Sequence, residues 1–186
     1  MLIHPKRLVI VLVGLLVVLI TGQAMAAEVV KCEQPVAMTA PGQAPDFAFA
    51  KILLERAGIN LKTDPLMRPD ELTNFKTLIL IIGGSGKGLG AAGIDIEDEI
   101  ARAQALLDKA RSLNMTVVGM HLGGEARRGD NSARFIDLIT PQVDFLVVRS
   151  DGNMDGIFTR ISSENNIPLV LIEKTAELSD VIAQMF

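Results

Sequence analysis

Residues 77 to 84 read TLILIIGG, an uncharged apolar run closed by two glycines. A strand with one wet face alternates apolar and polar residues, whereas a run without alternation needs cover on both faces. Such strands belong to parallel sheets with helices above and below.

The rest of the chain meets that demand. PVAMTA (35–40) reads as a strand, and Pro45 opens a helix that runs to Arg56 and stops at Gly58. LKTDPL (61–66) is a short strand and RPDELTNF a helical turn. Between 96 and 113, Ile96, Ile100, Ala103, Leu107 and Ala110 form one apolar stripe. Glu97, Asp98 and Glu99 stand in the first turn of that helix and Lys109 and Arg111 in its last, as the helix dipole favours. Strands at 116–122, 145–150 and 168–174 alternate with helices at 131–139 and 157–165. Thr175 can cap a final helix with Leu178, Val181, Ile182 and Met185 inward. The expected fold is α/β: a three-layer, mostly parallel sheet of about five to six strands, flavodoxin-like or Rossmann-like.

Lys6 and Arg7 precede an uncharged apolar stretch, LVIVLVGLLVVLI (8–20), followed by AMA at 24–26. Basic start, apolar middle and small-x-small end read as a signal peptide over 1–26, leaving one α/β domain over 27–186. An uncleaved membrane anchor is the alternative, and either places the domain outside the cytoplasm, in the periplasm or an extracytoplasmic space. Without Lys6 and Arg7, the 18 basic residues become 16 against 22 acidic ones, a net −6. That balance gives no basic face for nucleic acid. The single cysteine, Cys32, offers no intramolecular disulfide, and with His121 the one histidine after residue 26, the pair is a poor zinc set.

In a parallel α/β sheet the loops after the strands' carboxyl ends share one edge, where ligands bind. Here those loops are APGQAPD (40–46), GGSGKGLGAAG (83–93), HLGGEARRGDNS (121–132) and SDGNMDG (150–156), while RSLNM and ENNIP on the other edge are short and plain. Glycine and polar side chains are concentrated on one edge.

The glycine loop is not a phosphate-binding P-loop, because Gly86-Lys87 is followed by Gly88 and Ile81 stands where the first glycine belongs. Gly88, Gly90 and Gly93 fit G-x-G-x-x-G only beyond the strand end, with no acidic ribose partner about 20 residues on. It reads either as a flexible crossover or as a nest of backbone amides assisted by Ser85 and Lys87. GGSGK lacks the second glycine of a nucleophile elbow, although a Ser85–His121 pair on one edge remains geometrically open. Arg127 and Arg128 precede a helix starting near Asp130 or Asn131, as an anion clamp or as a solvated pair with Asp130 as N-cap. Asp151, Asn153 and Asp155 match half a calcium loop, but Ser162 replaces its closing glutamate.

PGQAPD (41–46), GGSGKGLGAAGID (83–95), HLGGEARRGDNS (121–132) and GNMDGIF (152–158) together resemble an uncharacterised family of exported bacterial α/β domains, a domain of unknown function. The resemblance covers nearly all of the chain after the signal and implies an exported α/β fold, without ligand or catalytic residues.

The expectation is an exported small-molecule-binding protein for a polar or anionic ligand, serving a membrane transporter or sensor, without cofactor or metal. Its site would comprise Gly42, Gln43, Gly84, Ser85, Lys87, Gly88, His121, Gly123, Arg127, Arg128, Asn131, Asn153 and Asp155. The alternatives are a hydrolase- or isomerase-like enzyme using His121, or a protein-interaction domain without a ligand. No catalytic residue is assigned under the leading expectation, and the oligomeric state is left open.

Overall fold

The computed structural model describes residues 29–186. The signal-peptide expectation for 1–26 lies outside the described residues. Six strands form one sheet: β1 (Val36–Thr39), β2 (Leu61–Thr63), β3 (Thr77–Ile81), β4 (Thr116–His121), β5 (Phe145–Arg149) and β6 (Leu169–Ile172). Their order is β2-β1-β3-β4-β5-β6, and every pairing is parallel. The expected α/β class is what the chain adopts.

Period-two alternation of the strands divides the core. Leu78, Leu80, Leu146 and Val148 point to one face, under α3 (Ile96–Ser112), α4 (Asp130–Ile139) and α5 (Ile157–Asn165). Ile79, Ile81, Val118, Met120 and Val147 point to the other, under α1 (Phe47–Arg56) and α6 (Leu178–Met185). The apolar run in β3 is fully buried along its length, as two-sided cover requires.

Three local expectations differ from the structure. The glycine segment is not a loop throughout: Gly86–Ala92 form a short helix, α2. Ser85 caps it by accepting from the Gly88 amide, buried Leu89 anchors it, and Gly93 ends it in the left-handed region. Asp130, expected as an N-cap, is instead the first residue of its helix, with Gly129 in the capping position. Thr175 opens a 3-10 turn, Thr175–Glu177, rather than capping α6 directly.

The order reverses between β1 and β3. From β1 the chain moves outward to β2, then crosses back to β3 and continues the other way. Loops after β1 and β3 therefore diverge at their carboxyl ends, leaving the kind of crevice where doubly wound sheets place ligands.

Candidate functional site

The crevice is occupied by the protein's own side chains. Glu99, fully buried in the first turn of α3, accepts from the Gly42 amide at 2.9 Å and from Gln43 Nε2 at 3.1 Å. Arg102, one turn on, meets it with two donors, Nε and Nη2, each at 2.7 Å. Arg102 also donates to the carbonyls of Pro65 (3.2 Å) and Met67 (2.6 Å) and to Thr39 Oγ1 (3.3 Å). One buried ion pair thus ties the loops after β1 and β2 to α3. The stripe at 96, 100 and 103 carried the clue, since position 99 lies on the same buried face at helical spacing.

Six of the expected site residues gather around this clamp. The Gly42 carbonyl accepts from the Ser85 amide at 2.8 Å. Ser132 Oγ, on α4, accepts from the Gly84 amide at 2.9 Å. Asn131 backbone lies where a Gly84 side chain would have to go, and Gln43 backbone lies where a Gly88 side chain would. Gly42, Gln43, Gly84, Ser85, Gly88 and Asn131 are therefore packing partners. Lys87 is exposed on α2.

A second group forms after β4 and β5. His121 closes β4 with no exposed surface, its Nδ1 3.0 Å from the Ile82 carbonyl. A carbonyl only accepts, so Nδ1 carries the proton and Nε2 the lone pair. Nε2 has no hydrogen-bond partner. Burial pushes the imidazole below its ordinary value and Arg128 adds to the effect, while the Ile82 and Gly124 backbone and Asp46 oppose it. The ring is neutral at physiological pH. Its centroid lies 5.1 Å from that of Phe158, and the Arg128 guanidinium stands 5.5 Å over the same ring.

Arg128 donates to the Gly152 carbonyl and to both oxygens of Asp155, Nη1 to Oδ1 at 3.1 Å and Nη2 to Oδ2 at 2.8 Å. That hydrogen bond holds the Asp155 carboxyl below the usual carboxylate range, as Arg149 does for Asp151. Asn153 turns inward and caps α5, accepting from the Phe158 amide at 3.0 Å. Gly123 lies beneath the Arg127 stem and close to Asp46, while Arg127 itself is exposed. Asp151 and Asp155 turn to different arginines and Asn153 to a helix amide, so the half calcium loop does not converge on a point. Asp46, Phe158 and Arg149 join this group without belonging to the expected site, and Asp151 enters it as the partner of Arg149 rather than as a calcium ligand.

The lowered His121 value has a consequence for stability. The folded chain holds the imidazole neutral while the unfolded chain takes a proton near pH 6.5, the ordinary value. The stabilisation is complete above pH 6.5 and is lost as pH falls from there towards the folded value. Urea unfolding between pH 7.5 and 5 should show a falling midpoint that flattens in His121→Gln. The same slope in both proteins would refute the assignment. Asp151 and Asp155 begin to act only near their unfolded values of 3.8, outside this window.

The fold and its edge define a three-layer, flavodoxin-like α/β domain with a glycine-rich carboxyl edge. The chain belongs to the family described as Domain of unknown function (DUF6305), whose model matches residues 33–186. No curated protein matches the chain. Among solved structures it is similar to the psychrotrophic esterase EstA from Pseudoalteromonas sp., at 12% identity over 75% of this chain and 78% of that one, TM-score 0.34. It is also similar to a protein of Desulfitobacterium hafniense DCB-2 described as lipolytic and of the G-D-S-L family, at 11% identity over 73% and 75%, TM-score 0.34. A third is the esterase AlinE4, at 12% identity over 74% and 76%, TM-score 0.32.

The expectation of a small-molecule-binding protein is corrected here. The structures of similar layout are described as esterases and a lipolytic protein, which agrees with the hydrolase- or isomerase-like enzyme, one of the two alternatives. Likenesses this distant transfer no residue roles. The correction also has a physical side, for side chains expected to line an open ligand pocket are spent on each other. Gln43 is held by Glu99, Asn153 by α5 and Asp155 by Arg128, and His121 has no open surface.

Proposed function

We propose that the chain is an extracytoplasmic, hydrolase-like enzyme in which His121 acts as a general base. The observation that supports this reading is the state of its ring: neutral, pinned through Nδ1, and presenting an unpartnered Nε2 at the carboxyl end of a central strand. A lone pair oriented in this way is ready to take a proton at neutral pH. The export part of the reading rests on the basic, apolar and AMA segments of residues 1–26.

The serines of this edge are otherwise engaged. Ser85 Oγ accepts from the Gly88 amide, Ser132 Oγ is bonded to Gly84, and Ser150 Oγ donates to Glu173. The proposed nucleophile is therefore water. Nε2 takes one proton of the water as the oxygen bonds to the acyl carbon; the ester C–O bond then breaks, and the leaving oxygen takes that proton back from Nε2, which restores the neutral ring. Because His121 is fully buried, with Gly152 against its Nε2 edge and Gly124 beside it, these two loops have to part before substrate reaches it.

Hydrolysis of 4-nitrophenyl acetate by the purified protein tests the reading. His121→Ala should lower the rate by about 10²–10⁴-fold. The wild-type rate should rise with pH through a midpoint below 6.5 and then level off. Turnover that survives in His121→Ala, or none in either protein across a panel of esters, would remove the reading.

A further inference from the structure

The ion pairs of this edge differ in how they are exposed. In Arg102–Glu99 both partners are sealed, with side chains 15% and 0% exposed. In Arg149–Asp151 both are partly open, at 28% and 50%. Arg128–Asp155 is asymmetric: the guanidinium is 9% exposed and the carboxylate 51%. A buried guanidinium needs an anion, but an exposed carboxylate does not need this cation. Asp155 has solvent and a second partner, the Ile157 amide at 3.2 Å.

The asymmetry makes the carboxylate exchangeable. If Asp155 swings outward and another carboxylate takes its place, Arg128 keeps a two-oxygen partner and no charge is left buried alone. Arg128 Nε is buried and without a partner, so the guanidinium has a donor that Asp155 does not use. The guanidinium and the His121 ring each lie against the Phe158 ring, and the charge of Arg128 is felt at the imidazole, so receptor and base belong to one site.

We infer that Arg128 is the receptor for a carboxylate on the substrate, and that Asp155 occupies this receptor in the resting protein as an internal stand-in. The inference rests on the hydrolase reading and narrows it to esters that carry a free carboxylate a few bonds from the cleaved bond. Displacing Asp155 removes one of the two ties between Arg128 and the loop after β5 and leaves the Gly152 carbonyl as the other. The internal carboxylate lowers apparent affinity in proportion to the fraction of time it is in place.

Calorimetric titration with succinate, and with neutral succinamide of the same shape, tests this without turnover. Asp155→Asn should bind succinate at least about tenfold more tightly than wild type, and Asp155→Ser, which keeps a capping oxygen for the Ile157 amide, should do the same. Arg128→Gln should lose succinate binding, and succinamide should bind none of the proteins. Equal succinate affinity in wild type and both Asp155 variants, equal binding of succinamide, or no binding by any variant overturns the inference. A parallel assay compares 4-nitrophenyl succinate with 4-nitrophenyl acetate. The expected binding pattern without hydrolysis of either ester would retain the carboxylate receptor and remove the hydrolase reading. Hydrolysis of both at equal rates, lost in His121→Ala, would retain the base and remove the receptor.

Discussion

Replacing Glu99 with alanine should lower the unfolding free energy by about 3–5 kcal/mol, as expected when one partner of a buried ion pair is removed. The loss has three parts. Arg102 would remain beneath the loops after β1 and β2 with only carbonyls and a hydroxyl as partners. The Gly42 amide, buried in the native protein, would lose its acceptor. Gln43 Nε2 would keep the Ala40 and Pro65 carbonyls but lose its carboxylate. Glu99→Gln separates charge from shape, because its amide oxygen can still accept from Gly42; it should fall between wild type and Glu99→Ala. The pair Glu99→Met with Arg102→Met should recover much of the loss, since apolar residues of similar volume leave no charge to solvate. Urea unfolding measures all four proteins. A loss below about 1 kcal/mol in Glu99→Ala, the range of exposed pairs, would mean that water reaches the clamp.

Gly42→Ala should be nearly as damaging. Gly42 has φ of +81°, in the left-handed region, and a Cβ there would run into the Gly83 carbonyl oxygen and the Phe135 ring. Neither obstacle is the free end of a flexible chain: one is backbone and the other a fully buried aromatic ring. Left-handed strain and core overpacking each cost about 1–3 kcal/mol, so a combined loss of about 3 kcal/mol is expected. Gly90→Ala provides the contrast. Gly90 lies inside α2 with open space around its absent Cβ, so alanine there should stabilise by about 0.5–1 kcal/mol. Thermal melting of the two variants should give shifts of opposite sign. Two shifts of the same sign would show that glycine content alone, rather than local geometry, sets the stability of this edge.

The fold was legible because its evidence is periodic and local. An apolar run without alternation has few other homes, and the stripes of α3 and α6 name their buried sides directly. The glycine segment was harder to read because six glycines mask any helical preference. What makes α2 a helix is one side-chain cap at Ser85, one buried residue at Leu89 and the need for a bare backbone at Gly88 beside Gln43. The site was legible only as an edge. Sequence spacing brings the four loops to one side of the sheet, but pairings such as Glu99 with Gly42 or Arg128 with Asp155 span 57 and 27 residues. Such partners are chosen by tertiary packing. From sequence, Glu99 reads as a charge at a helix start, a role that its first-turn position also satisfies.

The two kinds of tie along the edge also bear on how this domain can diversify. The loops after β1 and β2 are bound to α3 through sealed charges, whereas the loops after β4 and β5 are joined through charges that already share their partners with water. Substitutions among the second set should combine almost additively with changes in the first, because the principal partners differ. One half of the edge is a chassis and the other an interchangeable fitting. A descendant of this chain could acquire a new substrate preference by rewriting residues 123–130 and 150–156 alone, on an unaltered frame.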